Sequence, residues 1–112
     1  LMKHYPVWMS DIKTLEDALS MIDSIGKITG KESKSLKIQN DICEQFSHFK
    51  LQKTLVNSNP SSVLYLVWKK PFITAGQDTF INHILEICGL ENAITKTMYP
   101  EITAEEIQKA NP

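Results

Sequence analysis

The apolar positions of this chain predict two long helices in its first half. Leucine, isoleucine and alanine recur at helical spacing over 15–25, just after Thr14 and Asp17, which are spaced for a capping box. Gly30 is placed to end this helix. A second helix is predicted over 31–53, with one apolar stripe opposite a charged face. The stripe consists of Leu36, Gln39, Ile42, Cys43, Phe46 and Phe49.

A run of consecutive apolar residues, Val63 to Trp68, predicts a strand covered on both faces. The loop after it leads into a helix that runs to about Cys88, with Asp78 as its N-terminal cap and Gly89 as its left-handed terminator. Ligands of open α/β sheets bind just beyond the carboxyl ends of strands, so this loop is a candidate ligand-facing segment. The short apolar phrase 6–9 predicts the end of another strand.

Turn-forming residues mark a linker over 57–62, and Thr103 with Glu106 predict a second capping box near the end of the chain. The predicted order is therefore strand, two long helices, linker, strand, loop, helix, loop and helix. Two strands separated by so much helix do not form a hairpin, so they are expected to belong to two different sheets joined by the helical section.

Composition excludes several classes of function. Lysine and arginine number 12 against 13 acidic residues, with no basic run, which argues against nucleic-acid binding. Cys43 and Cys88 lie in helical patterns and are expected to be buried free thiols, and the three histidines are expected to be exposed. No zinc-site spacing, nucleophile–base pair or phosphate-binding loop is present, so catalysis has no support. The first residues do not resemble the start of a domain, and we expect the chain to be a piece of a larger protein.

A series of short sequence segments along nearly the whole chain resembles one family. The chain is similar, in order and spacing, to the class III periplasmic binding proteins of ABC importers, which are receptors for vitamin B12, ferric siderophores and haem. The matching phrases are Pro6–Asp11 with Thr14–Asp17, Ile25–Gly30, Val63–Trp68, Thr74–Gly76 with Asp78–Phe80, Leu85–Asn92 and Tyr99–Ile107.

The resemblance implies a fold class and a division of the chain. The expected class is α/β and mostly helical, a fragment of a two-lobed fold with the inter-lobe backbone helix and the start of the second lobe. Residues 1–13 would end the first lobe, 14–56 would form the backbone and following helices, 57–62 the linker, and 63–112 the first part of the second lobe. The implied partners are a membrane permease and a small metal chelate or corrinoid, outside the cytoplasmic membrane or in the periplasm. With sheet partners missing, self-association is also expected.

The resemblance also implies ligand-binding residues. Trp8, Phe72 and Tyr99 look similar to cleft aromatics, whose flat side chains would cover the broad face of cobalamin, haem or a ferric siderophore. Trp68 and Lys69 lie at the mouth of the predicted strand, where Lys69, with its neighbour Lys70, could hold a carboxylate. The plain alternatives are core aromatics and a solvated loop. No resident cofactor or metal is implied.

One acidic residue is implied to dock onto the permease. Glu105 resembles the second-lobe glutamate of these receptors, while Glu101 is a further candidate and Glu106 is better explained by capping. Two rival interpretations stay open. One is a small helical interaction module that oligomerises through the apolar stripe of residues 14–53, and the other is a two-lobed protein that uses its cleft chemically, which would require metal or cluster ligands.

Overall fold

The computed structural model describes residues 4–54 and 59–112, and of residues 51–54 only the backbone. Helices dominate this part of the chain and the strands are short, which confirms the predicted fold class. The predicted linker is described from residue 59 onward, because 57 and 58 lie outside the described residues, as do 1–3. The elements are α1 (Leu15–Thr29), α2 (Glu32–Thr54), β1 (Ser62–Val63), β2 (Leu66–Trp68), β3 (Ile73–Thr74), α3 (Phe80–Cys88), β4 (Glu91–Asn92) and α4 (Ala104–Ala110).

Helix α1 begins and ends as its sequence predicts. The Thr14 hydroxyl accepts a hydrogen bond from the Asp17 backbone N–H at 3.1 Å, and the Asp17 carboxylate accepts one from the Thr14 backbone N–H at 2.9 Å. This reciprocal pair satisfies donors that the helix itself cannot use. At the other end Gly30 adopts a left-handed conformation with φ of 63°, which glycine reaches without strain.

Asp17 is expected to make the stability of the protein depend on acidity. Hydrogen bonds from the Lys13 backbone N–H and from Thr14 hold the pKa of this carboxyl below its usual value. A carboxyl whose pKa is lower in the folded state stabilises that state above its unfolded pKa of about 4, and this stabilisation is lost as the pH falls through the folded pKa. When the pH is lowered from about 7 to about 3, the free energy of unfolding measured in urea should therefore fall less for Asp17→Asn than for wild type. The control is Asp41→Asn, at an exposed residue of α2, and its free energy of unfolding should change with pH as that of wild type does.

Helices α1 and α2 follow one another along the chain and pack closely at one glycine. A Cβ atom at Gly26 would lie 2.4 Å from the Ser35 Cβ, so only glycine allows the two helices to approach so closely. The Ser35 hydroxyl also donates to the Ile22 carbonyl at 3.0 Å. On α2 only Ser35 is buried and Gln39 and Ile42 are half-buried, while Leu36, Cys43 and Phe49 of the predicted stripe are exposed.

The prediction of one buried strand over 63–68 is wrong in two respects. It is divided into β1, which pairs in parallel with β4, and β2, which pairs antiparallel with β3. The division falls beside Tyr65, whose carbonyl accepts from the Ala75 N–H and the Thr74 hydroxyl. All three residues of β2 are exposed, because among the described residues no second layer packs over this hairpin.

Helix α3 begins one residue later than predicted. Asp78 has φ of 58°, in the left-handed region, whereas a capping residue needs extended backbone. Thr79 meets that requirement, with φ of −116° and ψ of 152°, and its hydroxyl accepts from the Asn82 N–H. The C-terminal prediction is confirmed, since Gly89 is left-handed after Cys88.

Three further predictions fail. The phrase 6–9 is irregular and exposed, because no neighbouring strand among the described residues offers it a hydrogen-bonding edge. Cys43 and Cys88 are free, as expected, but exposed. His83 is half-buried, with its Nε2 lacking a hydrogen-bond partner among the described residues and lying 3.8 Å from a Glu16 carboxylate oxygen.

Two features are absent from the described residues. Within 4–54 and 59–112, none of the helices is both long and apolar enough to traverse a bilayer. In the same ranges, no three histidine, cysteine or acidic side chains come together as candidate metal ligands.

Candidate functional site

The hairpin formed by β2 and β3 presents aromatic and basic side chains at its end. We call residues 69–72, between the two strands, the hairpin tip. The indole N–H of Trp68 donates to the Lys70 carbonyl at 3.0 Å, which holds the ring beside the tip while 62% of the residue stays exposed. Lys69 and Lys70 are exposed, Phe72 is half-buried, and the Lys70–Pro71 peptide bond is cis. Three of the five predicted ligand-binding residues, Trp68, Lys69 and Phe72, therefore lie on one short segment.

The segment 98–102 runs along the other side of β3 and brings Tyr99 to the same region. The Thr74 N–H donates to the Pro100 carbonyl at 3.1 Å, and the Gly76 N–H donates to the Met98 carbonyl at 2.8 Å. Tyr99, between these two acceptors, is 48% exposed. The predicted cleft aromatics of the second half of the chain are thus carried by adjacent, hydrogen-bonded backbone segments, which can hold side chains in fixed positions.

The residues between the hairpin and α3 are small because backbone segments meet there. A Cβ atom on Gly76 would lie 2.0 Å from the Lys96 carbonyl oxygen, so no larger residue fits. Thr74 and Ala75 are fully buried beside it. The Lys96 carbonyl also accepts from the Gln77 N–H at 2.8 Å. Small residues at 74–76 are therefore required by the close approach of two backbone segments.

A buried amide cluster fixes the segment 91–97 against α3. The Asn92 side chain donates to the Ala75 carbonyl at 3.0 Å and to the Asn82 side-chain oxygen at 2.9 Å, and it accepts from the Ile94 N–H at 3.1 Å. Asn82 in turn donates to the Glu86 carboxylate at 2.7 Å. This cluster is not predictable from the local sequence pattern. Its only signal was two asparagines, ten positions apart, inside otherwise apolar phrases.

Trp8 lies in a different part of the molecule. It is 50% exposed and lines a shallow groove of about 200 Å³ whose other walls include Ser10, Asp11 and Met21. No residue of the hairpin tip lines that groove. The structure therefore brings Trp68, Lys69, Phe72 and Tyr99 into one region and leaves Trp8 apart, beside α1.

The three glutamates near α4 differ in their contacts. Glu106 caps α4 and forms a 2.6 Å ion pair with Lys96, and the Lys96 hydrogen bond holds the pKa of its carboxyl below the usual value. Glu101 forms a bridge with Ile73 through its backbone. Glu105, in the first turn of α4, is exposed and makes no ion pair with any lysine of the described residues. The capping prediction for Glu106 is confirmed, and Glu105 retains a free carboxylate.

Comparison with known proteins gives consistent results. No family model matches the sequence. An uncharacterised ABC transporter substrate-binding lipoprotein, YvrC of Bacillus subtilis, is 28% identical over 107 residues, which cover 93% of this chain and 34% of that protein.

Solved structures match with high geometric similarity. The periplasmic vitamin B12-binding protein BtuF of Vibrio cholerae superposes with a TM-score of 0.85 at 19% identity, over 99% of this chain and 44% of that chain. A possible iron-binding, periplasmic solute-binding protein of Staphylococcus epidermidis gives 0.81 at 24% identity, over 95% and 42%. The chain thus has the fold of part of a two-lobed class III periplasmic solute-binding protein, as the resemblance implied. It spans less than half the length of each of these proteins.

Proposed function

We propose that this chain serves in the substrate-binding component of an ABC importer, which captures a metal chelate or corrinoid between two lobes and delivers it to a membrane permease. The observation that carries the proposal is the superposition of nearly the whole chain on solute-binding proteins. The curated relative, itself an ABC transporter substrate-binding lipoprotein, supports the same class. Binding and delivery, rather than catalysis, are the activities proposed.

The proposed division of labour follows the chain. Residues 1–13 would end the first lobe, 14–56 would form the backbone and following helices, and 63–112 would begin the second lobe after the linker 57–62. Residues 1–3 and 55–58 of this division lie outside the described ranges. A continuous helix such as α2 resists bending, so we infer that capture involves only limited hinge motion. The proposed location is the periplasm or the outer face of the cytoplasmic membrane, with lipid anchoring as one form of attachment.

The proposed ligand contacts come from two directions. Trp8 would contact the ligand from the first lobe, and Tyr99, Phe72 and Trp68 from the second, with Lys69 beside them. Exposed aromatic side chains supply a large contact area at little entropic cost, because each has two side-chain torsions. Candidate ligands are cobalamin, haem and ferric siderophores, which share a broad face and a metal centre.

The direct test is a calorimetric titration of the protein as encoded with cyanocobalamin, haemin and a ferric hydroxamate in turn. We expect saturable binding of one of them, with a dissociation constant in the micromolar range or tighter. This corresponds to a binding free energy of about −8 kcal/mol or a more negative value. Glucose serves as the control ligand and should produce no binding heat. A folded protein that binds none of the three chelates would contradict the proposal.

The Glu105→Gln substitution is expected to impair delivery without impairing capture. The free carboxylate of Glu105 is available to pair with a cationic group of the permease, and charge pairs at interfaces steer association and fix its register. Uptake of the solute, in cells that depend on this protein for it, should fall several-fold, while solute affinity in titration stays unchanged.

The matched control for this prediction is Glu91→Gln. Glu91 is also an exposed glutamate, on β4 rather than α4, so its loss should leave uptake unchanged. Glu106→Gln is unsuitable as a control, because it also breaks a cap and an ion pair. Equal uptake by the Glu105→Gln variant and wild type would contradict a role for Glu105 in docking onto the permease.

A second candidate function, oligomerisation through the helices, has one observation in its favour. Ile25, Ile28, Leu36 and Ile38 leave apolar surface exposed on α1 and α2. Sedimentation velocity over a range of protein concentration measures this directly. A stable dimer combined with no affinity for any of the three chelates would favour the oligomerisation module over the importer component.

A further inference from the structure

An apolar groove lies between helices α1 and α2. It encloses about 310 Å³, and its walls include Ile22, Ile25 and Thr29 of α1 and Ile38 of α2. Ile25 is 43% exposed and Ile38 is 40% exposed. The part of the chain that the structure describes thus leaves this apolar face open to solvent, and an open apolar face indicates an interaction surface.

Two lysines line the groove beside its apolar walls. Lys31 directly precedes α2 and Lys34 lies in its first turn, and both are exposed. Neither forms an ion pair with a carboxylate within residues 4–54 and 59–112. Cations at the start of a helix oppose the helix dipole, so helix stability does not explain why lysines stand there. The groove therefore combines apolar walls with unpaired positive charge.

This charge discriminates among the possible occupants of the groove. Residues 27–37 contain four lysines and one glutamate, whereas the whole chain has a net charge of −1. Two copies that met face to face through the groove would bring their lysines together and repel each other. A further layer of protein would bury Lys31 and Lys34, which is costly unless it supplies anions. A lipid surface offers anionic groups and hydrocarbon side by side.

We propose that the groove between α1 and α2 docks onto a membrane surface that contains anionic phospholipid. The ammonium groups of Lys31 and Lys34 would meet lipid phosphates, and Ile25 and Ile38 would contact the boundary of the acyl chains. Basic amphipathic segments bind membrane surfaces in this way, through apolar contact and charge together. The inference goes beyond the proposed function, because it concerns the lipid surface and does not depend on which solute is captured.

The test is sedimentation of the protein as encoded with sucrose-loaded vesicles of two compositions. One set is phosphatidylcholine alone, and in the other set phosphatidylglycerol replaces part of it. We expect the partition constant to be about tenfold higher for the anionic vesicles, as two lysines close to such a surface would produce. Raising NaCl from about 0.1 M to about 0.5 M should reduce this preference, because salt screens exposed charges.

Variants assign the effect to the groove. Lys31→Gln with Lys34→Gln should reduce the preference for anionic vesicles to about twofold or less. Ile25→Ser should weaken binding severalfold and leave the salt dependence unchanged, because it removes apolar contact without removing charge. The matched control, Lys13→Gln with Lys109→Gln, removes two lysines that do not line the groove and should bind as wild type does. Circular dichroism shows whether each variant keeps its helices.

Four results would overturn the inference. Two of them are equal partition into both kinds of vesicle and an undiminished preference for anionic vesicles in the Lys31 and Lys34 double variant. Binding of soluble polyglutamate without binding of anionic vesicles would indicate an acidic protein partner instead. A dimer that Ile25→Ser abolishes, without vesicle binding, would assign the groove to a second copy. Solute binding is measured separately by titration, so none of these results changes the importer proposal.

Discussion

Replacement of Gly76 by alanine is expected to destabilise the protein by about 3 kcal/mol or more, a large share of the stability of a small domain. The new Cβ would lie 2.0 Å from the Lys96 carbonyl oxygen, and that oxygen is fixed because it accepts from the Gln77 N–H. Backbone atoms on both sides cannot move aside as the end of a flexible side chain can. The hydrogen bond from the Gly76 N–H to Met98 would be strained in the same step.

The measurement is urea unfolding followed by circular dichroism, with Gly30→Ala as the control. Gly30 has φ of 63° but no atom within 4 Å of its absent Cβ, so alanine there incurs only the conformational cost of about 1 kcal/mol. A comparable loss in the two variants would mean that the contact between Gly76 and Lys96 does not hold the two segments together.

Replacement of Asn92 by leucine is expected to lower the free energy of unfolding by about 2–4 kcal/mol, although the two side chains have similar size. Asn92 is buried and uses its amide for three hydrogen bonds, to Ala75, Asn82 and Ile94. Leucine would leave those partners buried without a donor or acceptor, and such groups lose their hydration without compensation.

Thermal unfolding of Asn92→Leu beside Asn40→Leu measures this effect. Asn40 is exposed on α2, so its replacement should change the unfolding temperature little. Because the cluster fixes the segment 91–97 against α3, the Asn92 variant should also lose protection from hydrogen exchange at the Ile94 N–H. Unchanged stability and exchange would show that the amide cluster is not a structural tie.

Local signals predicted the helices well and the strands poorly, for physical reasons. The capping boxes of α1 and α4 and the left-handed glycines at 30 and 89 are determined by residues within a turn of one another. The run 63–68 has the composition of a covered strand, but its division depends on hydrogen bonds to Tyr65 from residues nine and ten positions later. Sequence periodicity carries no information about such distant partners.

The candidate site was predictable in its residue types rather than in its geometry. Trp68, Lys69, Phe72 and Tyr99 were predicted as ligand-facing, and the structure leaves three of them exposed, with Phe72 half-buried. The pairing of β3 with segment 98–102, which brings Tyr99 beside the hairpin, was not foreseeable from spacing alone, because Pro100 interrupts any strand pattern there. The roles of these residues in binding remain predictions.

The most direct test of the central claim, that a chelate is held between aromatics from two directions, is a comparison of Trp8→Ala and Tyr99→Ala in titrations with whichever chelate the wild type binds. Calorimetry avoids the strong light absorption of these ligands. Phe49→Ala, which removes an exposed aromatic from α2, is the control. We predict that each site variant weakens binding about tenfold or more, as expected for aromatic anchors, while the control binds as wild type does. Full affinity in both site variants, with their folds intact, would contradict the account.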